Sequence, residues 1–160
     1  MPISEYLRAV RARVGHALLL VPSVTGLVLD DAGRVLLVRH SNGGVWVAPG
    51  GAVDPDERPA DAVVREVREE TGLRVEPTAL RGVFGGPEFR VRYANGDETA
   101  YVMAVYECRR LDCELQADGV ETLDVRWVEP EELEGLALPS WVRVVLSETL
   151  RAEIGGQRPA

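Results

Sequence analysis

Hydrophobic and polar residues follow two spacings along the chain, and together they predict a mixed α/β domain. Short runs rich in Val and Leu, bounded by turn residues, are typical of strands. Such runs predict strands within 24–29, 34–39, 45–47, 74–75, 80–84, 89–93, 99–108 and 123–128. Apolar residues at helical spacing predict helices at 3–14 and 139–150, around a central helix at 59–71, with a short acidic helix at 130–134. We therefore expect an α/β sandwich with a mixed β-sheet, not a doubly wound parallel sheet.

Turn residues refine the strand boundaries. The stretch Asp30-Asp31-Ala32-Gly33 lies between two apolar runs and predicts a hairpin there, and Asn95-Gly96 predicts a second hairpin. Pro22 interrupts the apolar stretch 18–29, so we expect the first strand to begin near Val24.

The N-terminal segment has the pattern of an amphipathic helix. Its apolar positions recur at helical spacing, at Ile3, Tyr6, Leu7, Val10 and Val14. We expect this helix, within residues 1–15, to pack on the domain, with a homodimer contact as the alternative. Residues 1–160 are expected to form one domain whose tail, 152–160, is frayed.

The central helix carries an unusual concentration of charge. Pro59 suits its first turn and Gly72 suits its end. Glu66, Glu69 and Glu70 are spaced i, i+3 and i+4 on one face, and a separate apolar face is predicted at Ala60, Val63, Val64 and Val67. Like charges at that spacing destabilise an isolated helix by roughly 0.2–0.5 kcal/mol per pair. A hard divalent cation would turn the repulsion into binding, so the pattern predicts a metal site.

Composition and charge narrow the functional classes. The chain has 160 residues, 46% of them hydrophobic and 28% charged, which is typical of a globular protein. The net charge of −8 argues against a nucleic-acid surface, and no apolar run is long enough to cross a membrane. We expect a cytoplasmic protein with no membrane partner, in which Cys108 and Cys113 are free thiols.

The segment Gly51–Leu73 is similar to the signature of the Nudix family. It has Gly51, five residues, Glu57, seven residues, Arg65-Glu66-Val67, one residue, Glu69-Glu70, one residue, and Gly72-Leu73. The preceding Trp46-Val47-Ala48-Pro49-Gly50 also resembles the usual approach to this signature. One departure is Arg58, where many members have a serine that caps the helix. The resemblance implies an α/β/α sandwich over residues 24–150.

The resemblance implies hydrolysis of a nucleoside diphosphate linked to another moiety, with Mg²⁺ or Mn²⁺ as cofactor. The implied metal ligands are Glu66, Glu69 and Glu70, with a backbone carbonyl at Gly51 or its neighbour Gly50. Arg65 is implied to orient a glutamate, and Glu57 to join the same network, although an ion pair that only holds the loop is an equal interpretation. The general base stays open among Glu69, Glu70 and Glu121.

A further carboxylate on a later loop is common in the family. Glu121 lies six residues before Trp127, a position that resembles the one used by MutT-like members, so we expect it to act in catalysis and metal binding. The alternative carboxylates are Glu88, Asp97, Glu98 and Asp118.

Substrate contacts are the least determined feature. Arg39, His40, Phe84 and Phe89 are candidates, while Trp46 and His16 are expected to pack or to face solvent. Pro87 resembles a proline of ADP-ribose-type members, which favours a nucleotide sugar or ADP-ribose. The alternatives are a MutT-like (d)NTP pyrophosphohydrolase for damaged nucleotides, an RNA 5′-end hydrolase and a nucleotide sensor without activity.

Overall fold

The computed structural model describes residues 4–41, 43–120 and 122–154. The helices are α1 (Glu5–Val14), α2 (Pro59–Thr71) and α3 (Ser140–Ile154). The strands are β1 (Leu19–Val28), β2 (Val35–His40), β3 (Trp46–Val47), β4 (Gly50–Ala52), β5 (Val75–Phe84), β6 (Arg90–Arg92), β7 (Glu98–Arg110) and β8 (Thr122–Val128). Two 3₁₀ segments, Pro87–Phe89 and Pro130–Gly135, complete the elements.

The larger sheet is mixed. Its order is β4-β1-β7-β5, and β6 pairs with the first part of β7. Strands β1 and β7 run parallel through ten residue pairs, whereas β4, β5 and β6 pair antiparallel to their neighbours. The Asn95-Gly96 turn joins β6 to β7 as predicted, with Gly96 at φ 90°.

The first strand begins earlier than predicted and runs through Pro22. The Pro22 carbonyl accepts a hydrogen bond from Val53 N on the side of β4, and the missing N–H of proline faces the same side. Strand β4 pairs only from Ser23 onward, so proline removes no hydrogen bond from the β1–β7 ladder.

The hairpin predicted around Asp30–Gly33 forms only at its turn. Gly33 donates to Asp30 O, and Leu29 and Val35 form a single bridge. Because both edges of β1 are occupied by β4 and β7, β2 joins a second, antiparallel sheet of order β3-β2-β8. The prediction of a paired β1–β2 hairpin is therefore wrong beyond that bridge.

Helices α2 and α3 cover opposite faces of the large sheet. On β1, Val24 and Val28 lie in the core cluster that contains Val63 and Val67 of α2. Leu27 lies in the second cluster, which contains residues of α3. Side chains that alternate along one strand point to opposite faces, so the layers are helix, sheet and helix. The predicted α/β/α sandwich is confirmed in its layers.

The N-terminal helix is held by polar contacts instead of core packing. No residue of α1 is buried, and Tyr6 and Val14 remain exposed. Arg11 donates to the Glu98 carbonyl at 2.7 Å and to Thr99 Oγ1 at 3.0 Å. This corrects the expected core contact: α1 is fastened at the start of β7.

Within the described ranges, no helix is both long and apolar enough to cross a membrane. Cys108 is buried and Cys113 is exposed, and both are free thiols as expected. Helix α3 reaches Ile154, beyond the start predicted for a frayed tail, and residues 155–160 lie outside the described part of the chain.

Candidate active site on helix α2

Helix α2 has the predicted bounds but divides its faces differently. It begins at Pro59 and ends before Gly72, which adopts the left-handed conformation at φ 77°. Glu66 is 0% exposed and Glu70 is 3% exposed, on the buried side together with Val63 and Val67. Glu66 follows Val63 by three residues, and Glu70 follows Val67 by three, which places the carboxylates beside the apolar stripe. The expected separation of acidic and apolar faces is therefore wrong for these two glutamates.

Glu69 differs from the other two glutamates because its side chain is 54% exposed. It accepts from Arg65 Nη1 at 3.4 Å, the long end of a hydrogen bond. A single exposed ion pair of this kind contributes little to stability, so Glu69 is free to turn towards a ligand.

Arg65 connects the helix to the loop that precedes it. Its Nε and Nη2 donate to the two carboxylate oxygens of Glu57 at 2.7 and 2.8 Å, a bidentate pair. Its Nη1 donates to Glu66 Oε1 at 2.7 Å, and Nη2 also reaches the Ala52 carbonyl at 3.2 Å. Arg65 therefore fixes one oxygen of Glu66.

Glu70 is fixed from the other direction, by the glycine turn. Its Oε2 accepts a hydrogen bond from the backbone N–H of Gly50 at 3.0 Å. A Cβ at position 50 would lie 2.2 Å from the carbonyl oxygen of Val24, so only glycine permits this approach of β4 to β1. Gly51, the predicted carbonyl ligand, pairs with Val24 in the same ladder.

Two buried carboxylate oxygens have no hydrogen-bond partner among the residues that the structure describes. They are Glu66 Oε2 and Glu70 Oε1. Buried polar atoms are nearly always hydrogen-bonded, and an unpaired one requires an explanation such as an ion. Carboxylate oxygens are the donors that Mg²⁺ and Mn²⁺ prefer, so the residues present fit a hard divalent cation.

The site is not a closed metal cage. Over the described residues, no three Asp, Glu, His or Cys side chains are grouped in a way that could already hold an ion. The position of Arg65 explains this, because its Nη1 lies between Glu66 and Glu69 and draws both carboxylates to itself. Because Glu69 is exposed and can turn, it could join the two unpartnered oxygens around a cation.

The environments of the glutamates shift their pKa values in opposite directions. Burial raises the pKa of Glu66 to about 7; Arg65 opposes that shift, and the charges of Glu70 and Glu69 add to it. Hydrogen bonds from Arg65 lower the pKa of Glu57. The same pair with Glu57 raises the pKa of Arg65, which stays charged.

Glu121 lies outside the described residues, so its predicted role stays a prediction. Three alternative carboxylates have other partners. Asp97 Oδ1 lies 2.8 Å from His16, Glu98 pairs with Arg90 and Arg92, and Asp118 accepts backbone N–H groups of Val120 and Thr122. Glu88 is exposed on the 3₁₀ segment.

The candidate substrate residues separate into two groups. Phe89 is 3% exposed and lies between Phe84 and Trp141, with ring centroids 6.1 and 6.4 Å away, so its side chain serves packing. The guanidinium of Arg39 lies 5.9 Å from the Trp46 ring centroid, a cation–π contact.

His40 lies beside Glu70 of α2. Its Nε2 lies 3.4 Å from Glu70 Oε1. The sequence predicted His40 only as a substrate contact. It did not predict the hydrogen bond from Gly50 N–H to Glu70 or the hydrogen bond from Arg65 to the Ala52 carbonyl. The glycine pair before the helix was the available signal for the Gly50 contact; nothing local indicates that His40, thirty residues from Glu70 in the chain, reaches it.

The chain is similar in sequence to known proteins. A sequence model of the NUDIX domain matches residues 19–148. A MutT-like protein of Streptomyces ambofaciens is 34% identical over 111 residues, and the match covers 69% of this chain and 65% of that protein, slightly less than two thirds of its length. A putative 8-oxo-dGTP diphosphatase of Bacillus subtilis (strain 168) is 33% identical over 119 residues, covering 74% and 73%.

Solved structures show the same fold. The MutT protein from Methanosarcina mazei Go1 superimposes with a TM-score of 0.71 and 26% identity, covering 84% of this chain and 95% of that one. An ADP-ribose pyrophosphatase from Streptococcus suis 89-1591 gives 0.68 and 25%, covering 87% and 96%. The signature, the layers and these likenesses agree, and the chain belongs to the Nudix hydrolase family.

Proposed function

We propose that this protein hydrolyses a diphosphate linkage in a nucleoside diphosphate derivative, with a divalent cation held by Glu66, Glu70 and Glu69. The observation that carries the proposal is the pair of buried, unpartnered oxygens, Glu66 Oε2 and Glu70 Oε1. Leaving them unpaired costs free energy in the unliganded protein, so a cation that pairs with them gains binding energy that a hydrogen-bonded site would not offer. Glu121 remains a proposed additional ligand or base.

The contacts of each residue on α2 and the preceding glycine turn indicate its role. Arg65 orients Glu66 through Oε1, and Gly50 N–H orients Glu70 through Oε2, so each carboxylate keeps one oxygen for a ligand. Glu69 reaches solvent and can accept a proton from an attacking water. A divalent cation held there supplies neutralisation of the diphosphate charge and activation of the water.

Two substrate classes have support. The Bacillus relative, described as a putative 8-oxo-dGTP diphosphatase and 33% identical, favours a (d)NTP, damaged nucleotides included. The likeness to the ADP-ribose pyrophosphatase structure, together with Pro87 beside the Gly85-Gly86 loop, supports a nucleotide sugar or ADP-ribose. The burial of Phe89 removes one aromatic candidate for a substrate contact in either class.

The two classes are separated by their products. Purified protein with Mg²⁺ is offered (d)NTPs, including oxidised ones, and then ADP-ribose, nucleotide sugars and RNA with a 5′-triphosphate, with products identified by mass. A nucleoside monophosphate plus pyrophosphate supports the triphosphate class. AMP plus ribose phosphate from ADP-ribose supports the other. Tight nucleotide binding without turnover of any compound contradicts the proposed hydrolysis and indicates a sensor.

A further inference from the structure

His40 is placed beside the metal-site glutamates by its strand, not by the signature helix. It ends β2, where its backbone N–H donates to Val45 O at 3.0 Å and its carbonyl accepts from Gly44 N at 3.1 Å. It also pairs with Thr122 of β8. Two segments, the turn at 44–45 and strand β8, therefore hold the backbone of His40, and its side chain is only 26% exposed.

A break in strand register occurs at this residue. The pairing of β2 with β8 shifts between Arg39 and His40. Arg39 lies over Trp46, whereas His40 Nε2 lies 3.4 Å from Glu70 Oε1. The extra residue is Leu123 of β8, and successive side chains of β2 point to opposite faces of the sheet. Here the side chain that follows the irregularity is the one that meets α2.

His40 and Gly50 contact different oxygens of the same carboxylate. Gly50 N–H donates to Oε2 at 3.0 Å, and His40 lies against Oε1, one of the two unpartnered oxygens. At 3.4 Å and without hydrogen-bond geometry, the polar contact of His40 Nε2 with Oε1 holds Glu70 in place and leaves Oε1 without a hydrogen bond. Glu70 is thereby held in one orientation, and Oε1 keeps its capacity to bind a ligand.

We propose that His40 is a positioning residue: it confines Glu70 in the orientation that binds the divalent cation. This inference rests on the proposed function, because it assumes that Glu70 holds a cation. Partners that orient the ligands of a metal typically change metal affinity by about 10–100-fold when they are removed. A residue that only contacts substrate phosphate would instead change KM and leave metal affinity as it was.

The test is the affinity for Mn²⁺, measured at one fixed pH from the electron paramagnetic resonance signal of free Mn²⁺. The variants are His40→Phe, which fills the space without an N–H, and His40→Gln, whose amide can replace Nε2. His16→Ala is the matched control, because the His16 side chain is 69% exposed and pairs with Asp97, not with a glutamate of α2. Thermal unfolding in chelator checks that each variant is folded.

We expect His40→Phe to weaken Mn²⁺ binding by about 10–100-fold, with recovery in His40→Gln and no change in His16→Ala. With metal saturating, KM for the substrate should stay near the wild-type value. Wild-type affinity in folded His40→Phe, or a raised KM alone, overturns the inference while leaving the proposed function intact. A wild-type protein that binds no Mn²⁺ overturns the proposed function itself, and this inference with it.

Discussion

Arg65 contacts two glutamates, Glu57 and Glu66, whose hydrogen bonding and pKa shifts differ. On one side, Glu57 receives two hydrogen bonds from Arg65 and one from Asp54 N. On the other, Glu66 receives one bond from Arg65 and keeps a buried oxygen without a partner. The pKa of Glu57 is lowered by its bonds, and the pKa of Glu66 is raised by burial.

This difference distinguishes a structural glutamate from ligand-binding glutamates within the segment Gly51–Leu73. A carboxylate whose oxygens are fully hydrogen-bonded has little capacity for a ligand, so Glu57 holds the loop before α2 in place. A buried carboxylate with a free oxygen is an unfavourable arrangement that a cation can relieve. We infer that Glu57 holds the loop before α2 in position and that Glu66 and Glu70 bind the cation.

Removing a binding carboxylate should have the largest effect. Glu70→Gln keeps an oxygen for Gly50 N–H but loses the charge, and Glu66→Gln does the same beside Arg65. Each should lower kcat on the order of 10²–10⁴-fold, as removal of a positioned catalytic group does. Steady-state kinetics with Mg²⁺ measures this. Glu148→Gln, on an exposed carboxylate of α3, is the control that should keep full activity.

The stability of the metal-free protein should fall as pH rises. The pKa of Glu66 is near 4.5 in the unfolded chain and about 7 in the folded one. Between these values the folded state holds a proton that the unfolded state has lost, so the free energy of unfolding decreases with pH and the loss is complete above pH 7. The loss is about 3 kcal/mol.

Urea unfolding in chelator at several pH values measures this loss. In Glu66→Gln, the part of the decrease in unfolding free energy with pH that comes from Glu66 should be absent. A slope between pH 5 and 7 that is equal in wild type and variant contradicts the raised pKa.

Removing the Glu57–Arg65 pair should lower the free energy of unfolding, and this loss should depend on pH in the opposite sense to that of Glu66. Because the pKa of Glu57 is lowered, its contribution is present above its unfolded pKa and is lost as pH falls through its folded pKa. Glu57→Gln should reduce the free energy of unfolding by about 1.5–3 kcal/mol at pH 7, the range for a hydrogen bond to a charged group. Chemical denaturation of the two proteins at pH 7 and in acid measures this, and the difference between them should shrink in acid. Unchanged stability at pH 7 would assign Glu57 no holding role.

The smallest effect is expected far from Arg65. Asp97 binds His16 and Arg11 and so fastens α1 to the start of β7. Asp97→Asn should leave kcat and metal affinity unchanged while proteolysis near α1 becomes faster. A loss of kcat comparable to that of Glu70→Gln would instead make Asp97 the distant catalytic carboxylate.

Sequence reasoning succeeded where the determinants are local. Pro59 and Gly72 set the bounds of α2, and Asn95-Gly96 set the turn between β6 and β7. The family followed from residue types at fixed spacing.

It failed where the determinants are tertiary. The pairing of β2 with β8 depends on which edges of β1 are already occupied. The burial of Glu66 and Glu70 depends on how α2 is rotated against the sheet, and helical spacing alone placed them on a separate face. The contact of His40 with Glu70 joins positions thirty residues apart, which no local pattern records.

The most direct test of the central claim is a calorimetric titration of Mg²⁺ at pH 7, repeated in two buffers of different ionisation enthalpy. Because Glu66 is partly protonated near its pKa of about 7, binding should release a fraction of a proton from the wild-type protein. Glu57→Gln should behave in the same way, and Glu66→Gln should bind weakly without release. Equal Mg²⁺ affinity in Glu66→Gln and wild type, with equal proton release, would contradict the assignment of the buried oxygens to the metal.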